Sequence, residues 1–423
     1  MPWFLTKCSR SHPDVLSNIK PNSLVADSHV TVIRPLLTSS LFLNTYISSH
    51  SVQKRIEPTD EKSLVSGSTK QVELSTSAVN SLVVPLPPLK EQQRIVQKVD
   101  ELMALCDQLE QQTESSIEAH ATLVDTLLAT LTNSADADEL QQNWARIAGH
   151  FDTLFTTERS IDALKQTILQ LAVMGKLVRQ NPNDEPASVL LERIAAEKDR
   201  LVKEKKIKKQ KPLPEISEDE KPFELPEGWE WCQCNDIGNP NTIITYGILK
   251  PVWVDKGVPT VRIKDMIDGE ISTGDIAMCS FERADKFTKT TLSEGDLLIA
   301  KDGATLGKTA FVPHQLAGGN ITQHVLRFSI HQSVSRHFIR LIIDSPIGQG
   351  WMTGETKGVA LPGVNVSDFR RMPTAIPPLN EQHRIVAKVD ELMALCDQLK
   401  DKLRQSQQTQ VHLTDAIVDQ ALA

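Results

Sequence analysis

Gly303 to Thr309 reads GATLGKT, the nearest this chain comes to a phosphate-binding loop. Such a loop needs GxxxxGK[ST], so that enough backbone wraps the phosphates. Only three residues separate the glycines here, and Asp302 stands where the earlier glycine would sit. The string reads instead as a tight turn between two strands, presenting backbone amides and a lysine, a shape that suits a DNA contact. Asp344 with Glu355 and Lys357 has the residue types of a nuclease carboxylate–lysine set. Their spacing is loose, and GQGWMTGETKG reads as a loop. Cys232 and Cys234 lack the two-residue gap and the second pair of a zinc knuckle. The 11 histidines show no ligand spacing. Methyl transfer to a base amino group needs an Asn/Asp-Pro-Pro-aromatic loop. The Pro-Pro pairs here follow Leu86 and Ile376 and precede leucine. No reaction has a residue set on this chain, which is expected to carry no cofactor or metal of its own.

What remains is a binding chemistry. Polar and basic side chains gather on the strands and turns of residues 223–376: Tyr246, Lys250, Arg262, Lys264, Lys301, Thr305, Lys308, Gln323 and Lys357. Arginine and glutamine read guanine and adenine edges in the major groove, while lysine and threonine suit phosphates. Each of these residue types also covers ordinary protein surface, so the elements that position them carry the argument.

Those elements include a long repeat. PPLKEQQRIVQKVDELMALCDQL runs from Pro87 to Leu109, and PPLNEQHRIVAKVDELMALCDQL from Pro377 to Leu399. The copies differ only at Lys90/Asn380, Gln93/His383 and Gln97/Ala387. Pro-Pro suits the approach to a first helical turn, and Glu91 and Glu381 then fall where the helix dipole favours an anion. Apolar residues follow in alternating steps of four and three: Ile95, Val99, Leu102, Cys106 and Leu109, then Ile385, Val389, Leu392, Cys396, Leu399 and Leu403. That is a heptad stripe which must be buried on another helix. Each helix is expected to run about 45 residues, roughly 65 Å. The economical partner for one stripe is the other, giving an antiparallel coiled coil with internal pseudo-two-fold symmetry; separate packing of each stripe on its own core is the alternative. A duplex with a two-fold symmetric backbone suits such a molecule.

Bulk properties agree with a globular protein. The chain has 423 residues, 40% hydrophobic and 24% charged, enough for about two or three domains. No apolar run reaches the ~18 residues of a membrane span, and MPWFLTKCSRSHPD lacks a secretory core and cleavage site. The expected location is the cytoplasm, where Cys106 and Cys396 read as small buried hydrophobes. The net charge of −8 weighs against a nucleic-acid binder, but Pro87 to Asn133 alone holds three basic against eight acidic side chains. Lys203 to Lys211 is strongly basic, either a phosphate contact or a solvated tether.

Between the repeats lie a helical connector and a β-rich segment with VPTVRI, DLLIA and HVLRFSI. Ser28 to His50 lines up with Gln323 to Ser345 as a strand followed by an amphipathic helix, while the front of that first domain has no counterpart. The expected boundaries are 1–86 for a partial first globular domain, 87–133 for the first long helix, and 134–222 for the connector and charged linker. Residues 223–376 form a second globular domain and 377–423 the C-terminal helix.

The two copies of PPLxEQxRIVxKVDELMALCDQL, with LKQTILQLAVMGKLVRQNPNDEPASVLLERIAAEKDRL and FELPEGWEW between them, closely resemble the specificity subunit of type I restriction-modification systems. The resemblance runs from about Ser28 to the C-terminus. It implies an α+β protein in which two mixed α/β target-recognition domains, the first N-terminally truncated here, are separated by two long antiparallel helices forming a coiled coil. It further implies double-stranded DNA as ligand, each recognition domain reading half of a bipartite site, with half-site centres about one helical turn, roughly 34 Å, apart. Methyltransferase (modification) and restriction (motor-nuclease) subunits are the implied partners, bringing S-adenosylmethionine, ATP and Mg chemistry. By resemblance the chain is a non-catalytic DNA-recognition subunit. The rival expectations are a truncated scaffold that only docks methyltransferase subunits, and a single-chain nuclease.

Overall fold

The computed structural model describes residues 3–6, 14–15, 30–56, 66–68, 71–73, 76–134, 137–354 and 363–422. The chain divides into two units, 1–119 and 120–423. In the first, β1 (Trp3–Thr6), β2 (Asp14–Val15) and β3 (Val30–Ile33) form an antiparallel sheet in the order β2-β1-β3. The β-branched run VTVI favours an extended strand. Ser39 then caps α1 (Ser40–Ile47), its side chain accepting the Phe42 N–H. Leu43 and Ile47 are buried against Ile33, Val79, Leu82 and Val84. Pro87-Pro88 leads into α2 (Leu89–Thr132), 44 residues long, with Glu91 in its first turn.

One side chain ties α1 to α2. The Gln92 Oε1 accepts from the Ser39 N–H at 2.9 Å and the Thr38 Oγ1 at 2.8 Å, while its Nε2 donates to the Pro87 carbonyl at 2.8 Å. Gln92 is buried. A buried amide is tolerated because both of its ends are bonded.

In the second unit the last turns of α2 bury Val124, Leu128 and Leu131 in a core shared with α3 (Ala137–Gly149) and α4 (Glu158–Val173). Thr157 and Ser160 form a reciprocal cap at the start of α4. The expected stripe Ile161, Leu164, Ile168 and Leu171 is buried. Gly175, at φ +72°, ends it; a Cβ there would lie 2.5 Å from Pro226 Cγ. Lys176 Nζ donates to the Thr132 and Ser134 carbonyls, satisfying the C-terminal end of α2. The next connector helix, α5 (Ala187–Lys203), is anchored to the sheet domain rather than loose. Lys198 donates to the Asn235 and Asp236 carbonyls, and Glu197 meets His331 at 3.2 Å.

The β-rich segment holds β4 (Glu230–Gln233), β5 (Thr245–Tyr246), β6 (Trp253–Val254), β7 (Val258–Val261), β8 (Met278–Cys279), β9 (Leu297–Ala300), β10 (Thr309–Phe311), β11 (Asn320–Ile321) and β12 (Val325–Phe328). Then come α6 (Arg336–Asp344), α7 (Pro346–Thr353), β13 (Pro373–Ile376) and α8 (Leu379–Leu422), again of 44 residues. One sheet runs β10-β9-β12-β5, a second β11-β7-β8-β6, and β13 pairs with β4. The central strands β9 and β12 are buried along their whole length. The one charge in them, Arg327, lies 3.3 Å from buried Asp296 and donates to the Lys289 and Thr291 carbonyls.

The clasp of the first unit recurs here. Gln382 Oε1 accepts from the Ser335 N–H at 2.8 Å, Ser335 being the N-cap of α6, and its Nε2 donates to the Pro377 carbonyl at 2.9 Å. The strand–helix alignment of Ser28–His50 with Gln323–Ser345 thus holds as β3–α1 and β12–α6, with one extra residue before the cap in the second copy.

The expected burial of the two stripes on each other needs correction for the second. Ile385, Val389 and Cys396 are buried, and Leu392 and Leu399 half-buried, in the core that contains α4. Three ion-pair steps set α8 antiparallel to α4: Arg404 with Glu158 at 2.7 Å, Lys400 with Asp162 at 2.9 Å, and Asp397 with Lys165. These charges let α4 recognise this face and its register, which a bare heptad stripe would not specify. On α2, Val96 is buried, Ile95 and Val99 are half-buried, and Leu102, Cys106 and Leu109 are exposed. Cys106 is therefore not the buried hydrophobe expected, whereas its twin Cys396 is. No described helix is long and apolar enough to cross a membrane.

Candidate nucleic-acid interface

The register of one sheet gathers a polar cluster. Ala300 pairs with Val325 and Leu326 with Tyr246, so the chain leaving β9, the chain entering β12 and the end of β5 share one end of the sheet. Lys301 and Asp302 follow β9; Gln323 and His324 precede β12. The Lys301 N–H donates to the His324 carbonyl at 3.0 Å, and the Gln323 N–H to the Ile248 carbonyl at 3.0 Å. Gly247 makes the approach possible: a Cβ there would stand 1.9 Å from the Ile321 carbonyl oxygen.

The side chains form a relay. Gln323 Nε2 lies 3.1 Å from His324 Nε2, and His324 Nδ1 lies 3.0 Å from both Asp302 oxygens. Asp302 also accepts from Lys301 Nζ at 3.0 Å, and that ammonium sits 6.0 Å from the Tyr246 ring centre. Partial burial pushes the Asp302 carboxyl up, but hydrogen bonds from His324 and Lys301 outweigh it and hold the group below the usual carboxylate range. Asp302 thus stays charged and fixes two donors beside an exposed aromatic ring. Such a surface offers donors, an acceptor and a stacking face together.

Of the residues expected from sequence, Tyr246, Lys301 and Gln323 meet here. Thr305 and Lys308 lie on the adjoining turn between β9 and β10, with Lys308 exposed; the Lys308 N–H donates to the Thr305 carbonyl at 3.1 Å. That turn is GATLGKT, with Gly303 and Gly307 both at positive φ. Lys250 is exposed beyond β5, at φ +47°. Lys264 is exposed after β7, outside the relay. Arg262 is occupied: it grips Asp265 at 2.9 and 2.8 Å and the Asp275 carbonyl at 2.7 Å, which raises its already high pKa. It braces a turn, with few donors left for a base. Lys357 lies outside the described residues. Sequence reasoning missed Asp302 and His324. Each is a direct neighbour of a residue that was singled out, but neither looks like a DNA contact until the strands bring them together.

The reactive types elsewhere are occupied. Asp344 accepts from Thr309 at 2.8 Å and Arg340 at 3.2 Å, and burial pushes its carboxyl up despite both; Glu355 lies outside the described residues. Cys234 is buried, its sulfur 3.3 Å from Thr374 Oγ1, and burial pushes its thiol up to about 12. Cys232 donates to the Thr374 carbonyl, and burial pushes its thiol well up too. Neither readily forms the thiolate a metal requires. Among the described residues no three His, Cys, Asp or Glu side chains converge on a metal-sized site.

Residues 15–119 and 226–406 match the family described as the type I restriction modification DNA specificity domain. The chain is 43% identical over 377 residues to the type I restriction enzyme EcoEI specificity subunit of Escherichia coli, covering 85% of this chain and 62% of that protein. It is 40% identical over 424 residues to the EcoAI specificity subunit of the same species, covering 99% of this chain and 71% of that one. Among solved structures, a chain from a study of complex assembly and conformational transition of the type I R-M system aligns over 99% of this chain and 80% of its own length. Its TM-score is 0.54 at 17% identity, a likeness of fold.

Proposed function

Because the chain belongs to the type I restriction-modification DNA specificity family, we propose that it recognises DNA, without catalysing any reaction, as the specificity subunit of a type I complex. The observation that carries the reading is the convergence of Tyr246, Lys301, Asp302, Gln323 and His324 at one sheet end. Gln323 is suited to an adenine edge and Lys301 to a guanine edge or a phosphate, while Asp302 fixes the angle of Lys301 and His324. Lys308 and Thr305 on the adjoining turn suit the phosphate backbone. Lys250 and Lys264 are further phosphate candidates. The second unit then reads one half-site. The repeated strand–helix–glutamine module supports a bipartite target, with a matching reader mounted on α2. In this reading the partners are methyltransferase and restriction subunits, which hold the S-adenosylmethionine, ATP and Mg.

Selection of duplexes from a random-sequence library by the purified chain tests this. The expected result is enrichment of at least one short half-site. Gln323→Ala should lose about 1–3 kcal/mol of discrimination at one base position. Lys308→Ala should weaken binding to all sequences alike and lower the salt slope by about 1. Failure to enrich any sequence, or a Gln323→Ala variant with unchanged preference, would sink the reading and leave a scaffold.

A further inference from the structure

The contact between Gln323 and His324 joins two nitrogens, Gln323 Nε2 and His324 Nε2, 3.1 Å apart. An amide nitrogen only donates, so this bond requires a lone pair on the imidazole Nε2. The ring proton then sits on Nδ1, which lies 3.0 Å from both oxygens of Asp302. A carboxylate only accepts, so it demands the same tautomer. Burial raises the Asp302 carboxyl, but hydrogen bonds from His324 and Lys301 hold it below the usual range, and the acceptor stays ionised. The main chain is pinned on both sides of the pair. The Gln323 N–H donates to the Ile248 carbonyl at 3.0 Å, and the His324 carbonyl accepts from the Lys301 N–H at 3.0 Å. Only the side-chain torsions of Gln323 are left to be set.

Turning the Gln323 amide over would set its Oε1 against the Nε2 lone pair, acceptor facing acceptor. The amide is therefore kept in one sense, with Oε1 and its second N–H left for a ligand. An adenine edge in the major groove offers a donor, N6–H, beside an acceptor, N7, and a glutamine amide meets them with its oxygen and its N–H. Reversed on the same base, that amide would put like against like and leave polar groups unpaired. We infer that His324 is a positioning residue for base reading: its Nδ1–H tautomer, fixed by Asp302, presents the Gln323 amide to the base in a single donor–acceptor order. This role rests on the reading of Gln323 as a base contact. Asp302 and His324 then set the selectivity of a position through Gln323, as partners that orient a ligating side chain do elsewhere.

Two measurements on the full chain test this. In the first, the 11 histidines are labelled with nitrogen-15 and their ring nitrogens followed by NMR; the signal missing from His324→Gln belongs to His324. At mildly alkaline pH that ring should carry its proton on Nδ1 and a bare Nε2, the reverse of the preference of free imidazole. Asp302→Ala should return the proton toward Nε2. The second measurement is duplex selection from a random-sequence library. The position read by Gln323 is the one whose preference Gln323→Ala removes. His324→Ala should cut the preference there about fivefold, leave other positions unchanged, and add nothing in a Gln323→Ala background. His324→Gln, whose amide accepts from Gln323 while donating to Asp302, should recover part of that loss. A ring protonated on Nε2 or on both nitrogens, a His324→Ala preference equal to the parent's, or a further loss in the Gln323→Ala background would overturn the positioning role and leave Gln323 a base reader. Should no sequence be enriched, or Gln323→Ala change no preference, base reading itself fails and the positioning role falls with it.

Discussion

Glu381 shows how a single carboxyl can be read against its surroundings. It is 1% exposed in the first turn of α8, accepting from Trp229 Nε1 at 3.1 Å and Gln180 Nε2 at 3.3 Å. Burial pushes its pKa up, and the two hydrogen bonds and Arg384 only partly offset this. A carboxyl raised in the folded state is least favourable when ionised. Its effect on stability is therefore adverse above the folded pKa and fades as pH falls through that pKa toward the ordinary glutamate range. Glu381→Gln keeps an acceptor for Trp229. It should melt at or above the parent temperature at pH 7, with the gain shrinking toward pH 4. Melting curves across that range check it; a variant that is less stable at every pH would refute it. The copy in α2, Glu91, is exposed, so identical sequence did not disclose this difference. At the proposed interface, Gln323, Lys301 and Tyr246 were legible because their side-chain types suit bases. Arg262 carried its own warning: the RIKD string places Asp265 three residues on, and the structure spends the guanidinium there.

At the scale of elements, the glutamine clasp makes the sharpest prediction. Gln382→Ala would leave the buried Pro377 carbonyl and the part-buried Ser335 N–H without this partner. Each orphaned group costs about 1–3 kcal/mol, so chemical unfolding should shift to clearly lower denaturant. Gln92→Ala should do the same to the first unit. Gln382→Glu keeps the acceptor for Ser335 but loses the donor to Pro377, and should fall between parent and alanine. A variant Gln382→Ala as stable as the parent would show that water replaces the clasp. Both long helices were legible from Pro-Pro, the acidic first turn and the heptad spacing, and their ends lie close to those expected. The partner of the second stripe was not. Periodicity says that a stripe must be covered but not by what, and a near-identical copy is as good a partner by pattern as α4. The signal was present in the charges: Glu158, Asp162 and Lys165 complement Arg404, Lys400 and Asp397 in reverse order.

At the scale of the whole molecule, one interior draws on stretches that the sequence separates by composition. Ile161, Ile168, Ile194, Trp229, Phe328, Phe338 and Ile385 belong to one core, so residues from the connector, the sheet domain and α8 are buried together. Sequence patterns mark changes of secondary structure, whereas a domain is a shared interior, and contacts far apart in the chain leave no local trace. The mixed helix-and-sheet class was legible, because its strands and helices have distinct periods. If recognition is the chain's task, the purified chain given Mg, ATP and S-adenosylmethionine should neither cut nor methylate a target plasmid. Gel mobility and methyl-group transfer measure both, and either activity in the isolated chain would contradict the proposal.

The clasp also governs how such a molecule can change. Gln382 grips only main-chain atoms, the amide of Ser335 and the carbonyl of Pro377. Any residue other than proline at position 335 supplies the same amide. These two bonds are therefore indifferent to the side chain at position 335. Loops and strand tips outside the shared core can be rewritten without disturbing this fastening, so the chain can acquire a new vocabulary while keeping its skeleton.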